Sequence, residues 1–222
     1  MEIRTTFHKK LREIQDEVLV MGSMAEKALM SSVKALKERD IELAQRVVTD
    51  DLKINRRRFE IEEKCIQLIA TQQPMASDLR TIISALNIVS EVERIGDHAE
   101  GTAKIVLMIG DEPPLKPLID IPRMMEKTVD MLHRSLDTFV KGDADTARKI
   151  VTEDDEVDNL YDQVFRELFT FMAEDPKTIT RATRLIWVAH NLERSADRVT
   201  NICERVVYMV TGKMEEIGVS KY

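Results

Sequence analysis

Eight side chains with oxygen donors stand in pairs four residues apart: Asp51 with Asn55, Glu93 with Asp97, Asp154 with Asp158, and Glu193 with Asp197. A spacing of four puts both members of a pair on one face of a helix. Two such pairs on facing helices would gather four oxygen donors, and the set occurs twice. Removing ionised carboxylates from water costs on the order of several kcal/mol per ion unless a counter-charge is supplied. A metal ion relieves such a cluster better than a side chain does, and all-oxygen ligation favours hard cations: iron(III), manganese, magnesium or calcium, with zinc admissible. Arginine is the competing remedy, and Arg58, Arg94 and Arg194 stand close by. For one isolated aspartate the arginine pair is the better reading; recurrence of the pattern in both halves turns the balance toward metal.

The elements that must position these residues are long helices. Seven glycines and six prolines in 222 residues leave little turn chemistry for a many-stranded fold. Phe7, Leu11, Ile14, Val18, Met21 and Ala25 recur in steps of four and three, continuing through Leu29, Val33 and Leu36. That is the apolar seam of a helix packed on neighbours. The pattern predicts a second helix from about Asp40 to Thr71, broken at Gln73-Pro74, and a third from Ser77 to about Met108. A proline-rich stretch, Asp111 to Pro122, follows. Beyond it come helices from about Arg123 to Lys141, from Asp143 to about Glu174, and from beyond Asp175-Pro176 to Thr211.

The two halves align. Displaced by 103 positions, Asp40, Ala44, Val48, Thr49 and Asp51 match Asp143, Ala147, Val151, Thr152 and Asp154. After a loop three residues shorter, Glu93, Arg94 and Asp97 match Glu193, Arg194 and Asp197 at a displacement of 100. The expected architecture is therefore all-α, two tandem pseudo-symmetric three-helix bundles of six long helices. The expected boundaries are residues 1–112, a linker 113–122, and residues 123–222. On the second helix of each half the seam reads Val47, Asp51, Ile54 and Ile150, Asp154, Val157, and on the third a glutamate interrupts it, Glu93 or Glu193. Gly96 and Ala196, the next seam positions, leave room beside the acids.

Composition narrows the function. Thirty-three basic against forty acidic residues give a net charge of −7, which repels a phosphate backbone and argues against nucleic-acid binding. No apolar run approaches the roughly 18 residues of a membrane span, and the first fifteen residues lack the apolar stretch of a secretory signal. Cys65 and Cys203 lie far apart, so neither a disulfide framework nor a cysteine-zinc site is expected, and the chain reads as reduced and intracellular. No glycine-rich phosphate loop, nucleophile elbow or cysteine–histidine constellation is present. A carboxylate-bridged di-iron enzyme or iron store is the enzymatic alternative, but it normally needs Glu-x-x-His pairs, and the chain has none. A metal-free helical scaffold is the other alternative. His98 reads as a surface residue, with an extra ligand beside Asp97 as the alternative; Arg56-Arg57-Arg58 reads as a solvated face with one inward arginine, and Trp187 as packing.

On Glu93-Arg94-Ile95-Gly96-Asp97, Glu193-Arg194-Ser195-Ala196-Asp197 and Asp78-Leu79-Arg80, the chain resembles the PhoU family of phosphate-uptake regulators over essentially its whole length. The resemblance implies two three-helix bundles carrying metal on these motifs and no catalysis. It also implies negative regulation of the phosphate-starvation response by linking the phosphate ABC transporter to a sensor histidine kinase. The implied location is the cytoplasm, peripheral to the inner face of the membrane through those partners and without direct insertion, and a homodimer is expected. Departures are Gly101 where Asn201 stands in the other half, Asn55 in place of an acid at Asp158, and Thr178-Ile179-Thr180 in place of Asp-Leu-Arg. The first site is therefore expected to be the weaker.

Overall fold

The structure is a computed structural model that describes residues 2–217, with side chains from Thr6 onward; the last positions of the expected second unit, 218–222, lie outside the described residues. Seven α-helices follow in order: α1 (Glu2–Glu38), α2 (Ile41–Gln72), α3 (Ser77–Ile109), α4 (Asp120–Lys141), α5 (Ala144–Val151), α6 (Asp154–Glu174) and α7 (Ile179–Thr211). A single 3-10 turn, Pro176–Thr178, precedes α7, and no strand occurs among the described residues. The chain is all-α, as the periodicities require. Every residue of the α1 seam from Phe7 to Leu36 is buried.

The duplication extends to the helix ends. Asp40 caps α2 by accepting from the Leu43 amide at 2.8 Å, and Asp143 caps α5 by accepting from the Thr146 amide at 3.0 Å. Before each cap the backbone turns left-handed, at Gly142 (φ 66°) in one half and Arg39 (φ 58°) in the other. Glycine takes that conformation without a Cβ penalty; arginine does not.

Two boundaries differ from the periodicity. Helix α4 begins at Asp120, three residues earlier than expected, because Pro122 falls in the first turn, where its missing N–H costs nothing. The helix expected from Asp143 to Glu174 is two pieces, α5 and α6, parted at Thr152 and Glu153. The Thr152 hydroxyl donates to the Lys149 carbonyl at 2.8 Å, and the Glu153 amide donates to Ile150 at 3.0 Å, tightening the turn. Glu153 is also gripped from α4: Arg134 donates to both its oxygens at 2.8 and 2.6 Å and Lys127 to one at 2.7 Å. In the first half the matching Asp50 meets Lys53 alone among the described residues, and α2 runs unbroken.

The two units share one contiguous apolar core. Helices α3 and α7 pack antiparallel: the start of α3 meets the end of α7, with Arg80 Nε donating to the Met209 carbonyl and Ser84 Oγ to the Arg205 carbonyl, both at 3.1 Å. Near its far end, Asn191 of α7 donates to Thr102 at 3.3 Å. A Cβ at Gly101 would lie 3.1 Å from the Asn191 amide, so glycine here makes room for the neighbouring helix. Helix α1 meets α4 through Gly22, whose missing side chain is replaced in space by Leu136. The proline-rich stretch is pinned to the second unit by buried Lys116, which pairs with Glu167 of α6, and by Glu112, 3.5 Å from Arg184 of α7. Both cysteine thiols are free and buried, and burial pushes each up to about 12. Trp187, expected in the packing, is half exposed.

Candidate metal centre

Asp51 arrives inside the first unit because it occupies a seam position of α2 between Val47 and Ile54, all three buried. One turn on, Asn55 donates its amide to Asp51 Oδ2 at 2.9 Å. That bond uses one carboxylate oxygen and turns the amide oxygen away from it. Asp51 Oδ1 and Asn55 Oδ1 are left buried with no hydrogen-bond partner. Helix α3 closes over them at Gly96, where a Cβ would stand 3.3 Å from Asp51 Oδ1 and 3.1 Å from Ile54. The same helix supplies Glu93 and Asp97. Burial, reinforced by the charges of Asp97, Glu100 and Glu93, pushes the Asp51 carboxyl up to about 6. Glu93 and Asp97 are also raised, with burial the largest cause in each.

The second unit repeats this with more acid. Asp154 opens α6, and Asp158 follows one turn later. Burial, then the charges of Asp158, Asp197 and Glu193, push Asp154 up to about 7. Glu193 rises to about 7 through burial and the nearby Asp197 and Asp158. Asp158 and Asp197 are raised as well, burial first. Asp154 Oδ1 and Glu193 Oε2 are buried without a hydrogen-bond partner. All eight expected residues thus fall into two groups: the seven acids act on one another through their charges, and Asn55 joins the first group through its hydrogen bond to Asp51.

Arginine answers part of the charge. Arg58 approaches Glu93 at 3.1 Å across α2 and α3, and Arg194 approaches Asp197 at 3.1 Å along α7. Neither guanidinium hydrogen-bonds the orphaned oxygens of Asp51, Asp154 or Glu193. The clusters are nonetheless open: Asp97 is exposed, and among the described residues no three acidic, histidine or cysteine side chains are drawn together as a ready ion cage. Asn55 replaces a charge that Asp158 carries, which makes the first cluster the less acidic of the two.

Some neighbours were missed by spacing alone. Glu100 adds charge to Asp51, and Asp155 and Asp162 add it to Asp158. Extending the four-residue ladder from Asp158 would have found Asp162; Glu100 lies one turn beyond Asp97. Tyr161 and His190 flank Glu193, the imidazole 3.4 Å from its carboxylate and the two rings 6.1 Å apart. His98 is half-buried rather than superficial, and it stands among cations. Burial, then Arg198 and Arg194 of α7, hold it down to about 4, as befits a neutral ring on the α3–α7 seam. Of the arginine run, Arg58 alone turns inward to Glu93, as expected.

The fold and site together define a class: a duplicated three-helix protein that crowds carboxylates between its second and third helices, twice. The PhoU domain model matches residues 18–106 and again 121–206, and the chain belongs to the PhoU family. It is 39% identical over 216 residues to the phosphate-specific transport system accessory protein PhoU homolog of Clostridium acetobutylicum, covering 97% of this chain and 99% of that protein. Against PhoU of Escherichia coli K12 the identity is 36%, over 93% of this chain and 86% of the relative. The crystal structure of PhoU from Pseudomonas aeruginosa superposes with a TM-score of 0.88 at 36% identity, covering 93% of this chain and all of that one. The family is one of non-enzymatic regulators of phosphate transport.

Proposed function

We propose that this protein is a metal-binding regulatory adaptor of phosphate uptake, in which the carboxylate clusters hold hard cations and partners dock on the faces so formed. Asp51, Asn55, Glu93 and Asp97 would hold metal in the first unit, and Asp154, Asp158, Glu193 and Asp197 in the second. Bound metal supplies positive charge that neutralises each cluster and ties its two helices together. The supporting observation is that four buried oxygens without a hydrogen bond fall on these eight residues, in both halves, three of them with no ion-pair contact either and the fourth, Glu193 Oε2, faced by the His190 imidazole at 3.4 Å. Oxygen-only ligation points to iron, manganese, magnesium or calcium, with zinc admissible.

The regulatory part of the reading draws on relatives named as accessory to a phosphate-specific transport system. On this reading the adaptor acts in the cytoplasm as a homodimer that links the phosphate transporter to a sensor kinase and restrains the starvation response. No helix among the described residues is long and apolar enough to cross a membrane, so contact with the transporter would be peripheral.

Elemental analysis of protein purified without chelators tests the site. Wild type should carry metal, and Asp97→Ala with Asp197→Ala should lower the bound amount at least severalfold. Asp197→Ala alone should remove more than Asp97→Ala, because the second cluster is the more acidic. The Arg58–Glu93 contact favours a rival, a scaffold whose acids are answered by arginine alone. Metal-free wild type, or unchanged stoichiometry in the double variant, would decide for that rival.

A further inference from the structure

Helix α2 presents an apolar stripe that no other described residue covers. Leu52, Phe59 and Ile66 are 68%, 58% and 61% exposed. They lie seven residues apart, so they return to one helix face every two turns and form a stripe roughly 21 Å long at 1.5 Å per residue. The three-helix unit does not need them to fold. At the matching places of the second unit stand Asp155, Asp162 and Phe169, two of them charged.

The charges beside the stripe say what would cover it. Between Lys53 and Lys64, Lys53 pairs with Asp50, Arg57 with Glu60, Arg58 with Glu62 and Glu93, and Lys64 with Glu17. Arg56 and Glu63 are the two charged side chains of this stretch left without a partner among the described residues, and both are exposed. One lies three residues before Phe59 and the other four after it, on the same flank of the stripe. A twofold axis at Phe59, with the helices antiparallel, sets Leu52 against Ile66 of the partner subunit and the two Phe59 rings on each other. It also brings Arg56 opposite Glu63 of the partner subunit, twice. A parallel pairing would put the two copies' Arg56 and Glu63 on opposite edges of the contact, so that neither would meet its opposite charge.

We propose that two copies of this chain associate through α2 in this antiparallel arrangement. The Arg58 guanidinium lies 4.6 Å from the centre of the Phe59 ring and holds it against the helix, leaving its other face for the second copy. Because Arg58 also reaches Glu93, the interface stands one side chain from the first carboxylate cluster. The inference deepens the dimeric part of the proposed function and rests on that part alone, since no stripe residue is a proposed metal ligand.

Sedimentation equilibrium on the full chain across the micromolar range tests it. Wild type should be dimeric and Phe59→Glu monomeric, with helical circular dichroism unchanged because the site is exposed. Arg56→Glu or Glu63→Arg alone removes two opposite-charge pairs and creates two like-charge ones, so each should weaken the dimer about tenfold. The combined Arg56→Glu/Glu63→Arg variant should restore it. A dimer that survives Phe59→Glu, or a double variant no better than the singles, overturns this face while leaving a dimer by another face; a monomeric wild type overturns both.

Discussion

At the scale of single residues, the acids that break an apolar seam are the ones whose chemistry the fold alters most. Asp154 and Glu193 are pushed up to about 7 and Asp51 to about 6, burial being the first cause in each. A carboxylate raised in the folded state keeps its proton there while the unfolded chain has lost it. In metal-free protein these groups therefore make stability fall as pH rises from about 4 to about 7. His98, held down to about 4, acts in the opposite sense: the unfolded chain takes its proton first, so its contribution to stability rises with pH between about 4 and 6.5. Asp154→Asn separates the two, since it keeps His98 and removes one buried charge. In chelator, the variant should match wild type near pH 4, where the unfolded aspartate also keeps its proton, and exceed it by about 1 kcal/mol at pH 7.5, a figure set well below the full shift because water still screens part of the group. With metal added the order should reverse, because ligation needs the ionised carboxylate. Denaturant midpoints at the two pH values check this, and a gap that does not widen with pH rejects it. Asp51 and Asp154 were legible from sequence because each interrupts a run of buried aliphatic positions. Glu100 was not, because it lies off that line and reaches Asp51 only through the packing of α3 on α2; Asp162 was within reach of the four-residue ladder along α6, one step beyond Asp158.

At the scale of elements, helix types and most ends follow from apolar spacing and caps, as the buried line from Phe7 to Leu36 and the paired caps Asp40 and Asp143 show. The break between α5 and α6 was hidden for a physical reason. It contains neither proline nor glycine; it arises where Arg134 and Lys127 of α4 hold Glu153, a contact made only once the unit is assembled. The two guanidinium bonds hold Glu153 down to about 2. The break is also what places Asp154 in the first turn of α6. Arg134→Ala leaves Glu153 half-buried with Lys127 as its remaining cation, and should cost about 2 kcal/mol. In a domain of this size that lowers the melting temperature by about 5 °C. Arg134→Lys should recover part of the loss, since it restores the charge without the two-pronged geometry. Thermal melts of the three proteins decide it; a loss equal for lysine and alanine would show that the fork itself is what α6 requires.

At the scale of the whole molecule, duplication has not produced two independent bodies. The repeat and the proline-rich stretch suggest separable units, yet the buried apolar residues form one cluster, α3 lies along α7, and α1 touches α4 where Leu136 fills the space beside Gly22. Such a core has no plane along which one unit can melt while the other keeps its packing. Denaturant unfolding should therefore be a single transition. Trp187 is the chain's one tryptophan and reports on α7, whereas far-ultraviolet circular dichroism averages over both units, so the two signals should superimpose. Gly22→Val sharpens the test from the far side of the molecule. Its branched side chain cannot share the space with buried Leu136, and overpacking of this kind costs about 2 kcal/mol. The substitution lies in the first unit and the fluorophore in the second, so a shared core requires both midpoints to fall together and by the same amount. A fluorescence midpoint unmoved while the dichroism shifts would mean that the second unit stands alone, and metal bound in one cluster could not then stabilise the other.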